Sequence, residues 1–84
     1  MEKIGEVTHC FKEISVAAIE LSAPLKVGES IKIVGETSNF TQEVGSMQYE
    51  HDDIEEAEAG MEVAIKVKER ARVGDGVHRL SERD

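Results

Sequence analysis

Four basic side chains recur at two-residue spacing in "KVKERAR": Lys66, Lys68, Arg70 and Arg72. In extended backbone that period puts all four on one side. A row of this kind suits a polyanion, because each cation that meets a phosphate releases a counterion and makes binding fall with salt. The same period also describes the wet face of an amphipathic strand. Val63, Ile65 and Val67 take the alternate positions, and lysines on an outer face discourage pairing with other chains. For Lys66 and Lys68 the solvated face is the stronger reading. Arg70 and Arg72 fall in the connection to the last strand, where their direction is open.

The opposite charge precedes this row. Residues 50–62, "EHDDIEEAEAGME", hold seven acids and no Lys or Arg. Hard cations need several oxygens around one point, and no "DxDxDG" loop is present, so no metal site is assigned. A basic protein partner suits the segment better, which makes Glu50, Asp52, Asp53, Glu55, Glu56 and Glu58 a candidate protein-interaction surface. A third candidate is the polar loop around an aromatic, Thr37, Ser38, Asn39, Phe40 and Thr41, weighed against an ordinary hairpin loop. The neighbours His9 and Cys10 would point to opposite faces of a strand, which defeats a nucleophile–base pair. His51 and His78 are single residues without ligand spacing. No catalytic set, metal or cofactor is assigned.

Short strands must position these residues. The chain has 84 residues and net charge −8. That is one domain, here 1–84 with a core over about 4–80, burying roughly 60–65% of its unfolded surface. With no Trp, one Tyr and two Phe, the core must be Val and Ile, which favour pleated sheet. Gly5, Pro24, Gly28, Gly35, Gly45, Gly60, Gly74 and Gly76 divide the chain into strand-length pieces. Strands are expected near 3–11, 14–22, 30–35, 39–49 and 61–68, with a short one at 77–80. Val7, His9 and Phe11 share a parity that Ile4 lacks, which predicts a bulge at Gly5. Phe40 and Val44 have the opposite parity to Met47 and Tyr49, which predicts a switch of face near Gly45 or Ser46. Met61, Val63, Ile65 and Val67 should form an inward column. "DDIEEAEAG" reads as one helical turn over about 53–59, capped by Asp52 or Asp53 and ended by Gly60. The end "SERD", 81–84, is expected to fray. The whole is all-β, a small closed antiparallel barrel of six or seven strands, since closure removes exposed edges.

"GEV" at 5–7, "APLKVGESIKIVG" at 23–35, "VGSMQYEH" at 44–51, "EEAEAGMEVAIKV" at 55–67 and "RVGDGVHRL" at 72–80 occur in the order of the second domain of translation GTPases. The chain resembles the β-barrel of elongation factor Tu and initiation factor 2, and more closely the small stand-alone translation-elongation-factor-like proteins. A related barrel closes the C-terminus of some collagenase-like peptidases. The resemblance implies a Greek-key barrel that contacts RNA. It carries no nucleotide chemistry, because "GxxxxGK[ST]" is absent and so is the loop that cradles phosphates.

The expectation is a non-catalytic β-barrel binding module. Contact with tRNA or ribosomal RNA through Lys66, Lys68, Arg70 and Arg72 is implied by the resemblance. The alternative is an adaptor that docks through the acidic 50–58 segment onto a separate GTPase or peptidase-like partner. An acidic pI near 4.8 argues against generic nucleic-acid binding. One cysteine and no apolar run long enough for a span or a signal core point to the cytoplasm.

Overall fold

Alternation of aliphatic and polar residues sets the strands, and the computed structural model describes residues 2–36 and 38–80. The expectations for Thr37 and for 81–84 lie outside the described residues. Ten strands follow one another: β1 Glu2–Phe11, β2 Val16–Leu21, β3 Leu25–Lys26, β4 Ser30–Val34, β5 Asn39–Glu43, β6 Met47–Tyr49, β7 Asp52–Ile54, β8 Glu56–Ala57, β9 Glu62–Lys66 and β10 Gly76–Leu80. The described residues are all-β, and there is no helix among them.

Eight strands form one antiparallel sheet in the order β5-β4-β10-β1-β2-β9-β6-β7, and β3 pairs with β8 in a second ladder. The count exceeds the six or seven expected because Leu25–Lys26 forms β3 and the chain between Gly45 and Gly60 breaks into three short strands. The ladder runs from β5 to β7 and does not close on itself. Backbone hydrogen bonds from the turn after β3 tie its two ends: Gly28 N–H donates to Val44 C=O at 2.8 Å, and Val27 N–H to Glu55 C=O at 2.8 Å.

One aliphatic cluster forms the core. Ile4, Val7, Ile19, Ile31, Ile33, Val44, Met47, Val63, Ile65 and Val77 are essentially without solvent contact. The expected column on β9 holds: Val63, Ile65 and Val67 are buried and Met61 packs against them half-buried. The bulge at Gly5 is present as a register shift against β10 between Lys3 and Gly5. A Cβ on Gly5 would lie 2.7 Å from the Glu20 carbonyl oxygen, so a side chain there would push β1 off β2.

A second shift, between Val7 and His9 against β2, breaks the shared parity expected of Val7, His9 and Phe11. Val7 goes inward, while His9 and Phe11 lie in solvent with their rings 4.4 Å apart. The change of face between Val44 and Met47 is made by an irregular corner at 44–46 that joins two separate strands. Both side chains end up buried.

The helical turn over 53–59 is corrected to β7 and β8. Glu50 and His51 both have positive φ, 51° and 71°, the twist of a two-residue hairpin turn. The chain therefore folds back along β6, with Asp52 opposite Tyr49 and Ile54 opposite Met47. A single turn of helix would have gained too few hydrogen bonds to compete. As a hairpin the segment pairs its backbone and lays Ile54 and Ala57 against the core.

Candidate functional site

The basic row is not one continuous strand. β9 ends at Lys66, and Lys68, Arg70 and Arg72 belong to the irregular connection to β10. All four are exposed. Val67 N–H donates to Ser15 C=O at 2.8 Å, which anchors this connection against the β1–β2 turn. On its other flank the Gln42 carboxamide from β5 bridges it, donating to Lys66 C=O at 2.8 Å and accepting from Lys68 N–H at 2.9 Å. A side chain thus fills the place of a ladder bond between β5 and the end of β9.

This connection also meets Ser38, just before β5, and the expected loop over 39–41 is the start of that strand. Ser38 is buried, and its hydroxyl donates to Arg70 C=O at 3.4 Å. Phe40 is buried in the core rather than offered at a tip, while Asn39 and Thr41 are exposed. The two patches read separately from the sequence are therefore neighbours, but the aromatic that would have made the loop a stacking platform is not available.

A pocket of about 230 Å³ opens at this end of the sheet. Cys10 and Phe11, beside the buried Val67, supply its apolar lining, and Lys12, Lys68 and Arg70 its charge, with Ser15 and Glu69 completing it. None of the three cations has an ion-pair partner among the described residues. Phe11 and Ile14, the latter in the adjoining β1–β2 turn, are exposed.

The acids lie at the other end. Met47 pairs with Ile65 and Gln48 with Ala64, so β6 runs toward Glu62 and its turn at Glu50 and His51 projects from the end opposite Lys66. Asp53 accepts from Gln48 Nε2 at 2.9 Å, and Glu56 lies 3.9 Å from Lys26 Nζ. Glu55 and Glu56 border an open groove with Lys26, Val27 and Ile54. Strung along a hairpin, these carboxylates do not converge. Among the described residues no group of three His, Cys, Asp or Glu is placed to hold a metal. His9, Cys10, His51 and His78 are likewise not brought together into one site.

Three features escaped the sequence reading. Gln42 looked like any polar strand residue. Asp75, in "GDG", reads as a turn tip but is 5% exposed, accepting Arg72 N–H at 2.9 Å. Arg79, in the last strand, is pinned by Glu29, Glu2 and the Pro24 carbonyl. The local pattern signals none of these, because each partner lies across the sheet or in a loop that only the tertiary fold brings near.

No family model matches the chain. It is similar to part of an uncharacterised protease of Methanocaldococcus jannaschii, 43% identical over 81 residues, which is 95% of this chain and 20% of that protein. It is also 32% identical over 83 residues to a collagenase of Porphyromonas gingivalis, covering 96% of this chain and 23% of that one. The chain spans about a fifth of the length of these curated relatives. Its fold is that of the C-terminal domain of a Geobacillus thermoleovorans chain assigned to the U32 peptidases, with TM-score 0.89, 22% identity, 95% of this chain and 93% of that domain.

These relatives correct the likeness to translation-elongation-factor-like proteins, and the RNA-contacting role for Lys66, Lys68, Arg70 and Arg72 that came with it. The quoted motifs encode turns and an inward column. Those specify an antiparallel sheet wherever it occurs, and a fold does not carry its job with it. Among the described residues no helix is long and apolar enough to cross a membrane.

Proposed function

We propose that this chain is a non-catalytic accessory β-domain that works with a U32-type peptidase body. The observation that carries the reading is the 43% identity over 81 residues to a protease of which that stretch is only 20%. In this reading the residues needed for peptide hydrolysis belong to the other four-fifths, and this chain, one domain over 1–84, supplies a docking surface. The face turned to the peptidase body is the acidic hairpin of Glu50, Asp52, Asp53, Glu55, Glu56 and Glu58. β7 ends the main sheet, and its Asp52 and Asp53 stand exposed there, complementary to a basic surface.

The sheet acts as a closed cylinder in this role. The Gln42 bridge between β5 and the end of β9 and the backbone bonds of the 27–29 turn support this reading of a Greek-key barrel. With Cys10 as a free thiol, the cytoplasm is the compartment in which it works.

The test removes the matching segment from the Methanocaldococcus jannaschii protease and supplies this chain in trans. The expected result is loss of peptide cleavage on deletion and recovery on addition, with no cleavage by this chain alone. Reversing the charge of Asp52, Asp53, Glu55 and Glu56 should abolish recovery. Cleavage by the isolated chain, or full activity of the truncated protease, would overturn the reading.

A further inference from the structure

The pocket at the basic end is built for a different kind of guest. We propose that it binds the C-terminal end of a peptide whose last residue is apolar. The proposal rests on the pocket alone and does not depend on the accessory-domain reading.

Size sets the first limit. About 230 Å³ is below the roughly 300–1,000 Å³ of ordinary small-molecule sites, so it holds one residue rather than a cofactor. Chemistry sets the second. Cys10 and Phe11 offer apolar surface beside the buried Val67, and Lys12, Lys68 and Arg70 also line the pocket. An apolar residue at a chain end is the peptide unit that carries an apolar side chain and a full negative charge on adjacent atoms. The carboxylate then accepts charge-assisted hydrogen bonds from the cations, while its side chain covers the apolar surface. An internal Asp or Glu would bring the charge but leave that surface wet.

Two further observations agree. The chain carries net charge −8, yet this pocket holds three cations against one acid, Glu69, and among the described residues those cations make no ion pair that would give them a structural duty. Ile14, in the β1–β2 turn that supplies Lys12 and Ser15 to the lining, is 61% exposed, apolar area next to the site. The walls are firmly held: the Ser15–Val67 backbone bond joins the two segments that form them, and Gln42 holds the Lys68 amide.

The experiment uses the 84-residue chain and three fluorescein-labelled hexapeptides, read by fluorescence polarisation. One ends in Leu as the free acid. The second has the same sequence amidated. The third is amidated and carries Glu in place of the penultimate residue. The free acid should bind saturably, the amide about tenfold or more weaker, and the Glu-containing amide no better than the plain amide. Added salt should weaken the free acid. A Lys68→Gln, Arg70→Gln double variant should lose about tenfold or more in affinity while keeping its melting temperature, since both side chains are exposed. Val73→Ser, outside the pocket, should change nothing. Equal binding of acid and amide, a Glu-containing amide that matches the free acid, or no saturation at millimolar peptide would each overturn the proposal.

Discussion

Arg79 Nε lies 3.3 Å from Glu29 Oε2, across the gap between β10 and the turn that starts β4. The contact is an ion pair without a directed hydrogen bond, since the buried Nε–H points at no acceptor. The guanidinium spreads its other nitrogens to Glu2, 3.6 Å away, and to the Pro24 carbonyl, while Glu29 Oε1 accepts Lys26 N–H at 2.8 Å. One planar cation therefore ties β1, β10 and the β3–β4 turn together. Arg79→Met should lower unfolding stability by about 1–2 kcal/mol, a charge-assisted contribution discounted because both side chains remain about a third exposed. Arg79→Lys should recover little, because a point charge cannot face three directions. Urea denaturation checks both.

Gly35 is needed for what lies over it. A Cβ there would sit 1.9 Å from Asp75 Oδ1, and Asp75 cannot withdraw without giving up Arg72 N–H. Gly35→Ala should cost about 1–3 kcal/mol as an overpacking defect. The double variant Gly35→Ala, Asp75→Ala should fall short of the sum of the single losses, because the clash goes with the carboxylate. A double-mutant cycle by thermal melting reads the coupling.

The β6–β7 turn stores strain that a substitution can release. Glu50 and His51 occupy left-handed backbone with φ of 51° and 71°, conformations that cost side-chain-bearing residues more than Asn or Gly. Glu50→Asn with His51→Gly should raise stability by about 1 kcal/mol, seen as a melting temperature higher by about 4–8 °C. An unchanged melting temperature would show that the turn is relaxed.

Gln42 closes the seam beside β9 with one donor and one acceptor. Gln42→Glu keeps the acceptor for Lys68 N–H but leaves Lys66 C=O without its donor, and Gln42→Leu removes both. Stability should fall in the order Gln, Glu, Leu, by about 0.5–1.5 kcal/mol per lost bond. The Lys68 amide should exchange with solvent faster only in the Leu variant, which hydrogen exchange by NMR resolves.

Much of the sheet was legible because burial enforces a period of two. Met61, Val63, Ile65 and Val67 announced their column, Ile4 against Val7 announced the bulge at Gly5, and Val44 against Met47 announced the corner. The 53–59 segment misled because its acids imitate a helix N-terminus, while the turn that decided its fate is built from Glu50 and His51, without the Asn or Gly that usually marks such hairpins. The candidate surface was half legible. The spacing of Lys66 and Lys68 was visible, but the junction of Ser38 with Arg70 and of Gln42 with Lys68 joins residues far apart in the chain. Function was the least legible, since the motifs that looked like a translation factor report turns and core, which peptidase-associated relatives share.

The acids of the Glu50 hairpin and the cations Lys12, Lys68 and Arg70 lie at opposite ends of β9. A charged partner would feel that separation before contact and turn the two molecules toward a preferred approach. Under the two proposals above, association at either end should be faster at low ionic strength than at high, and a partner at one end should not compete with a partner at the other.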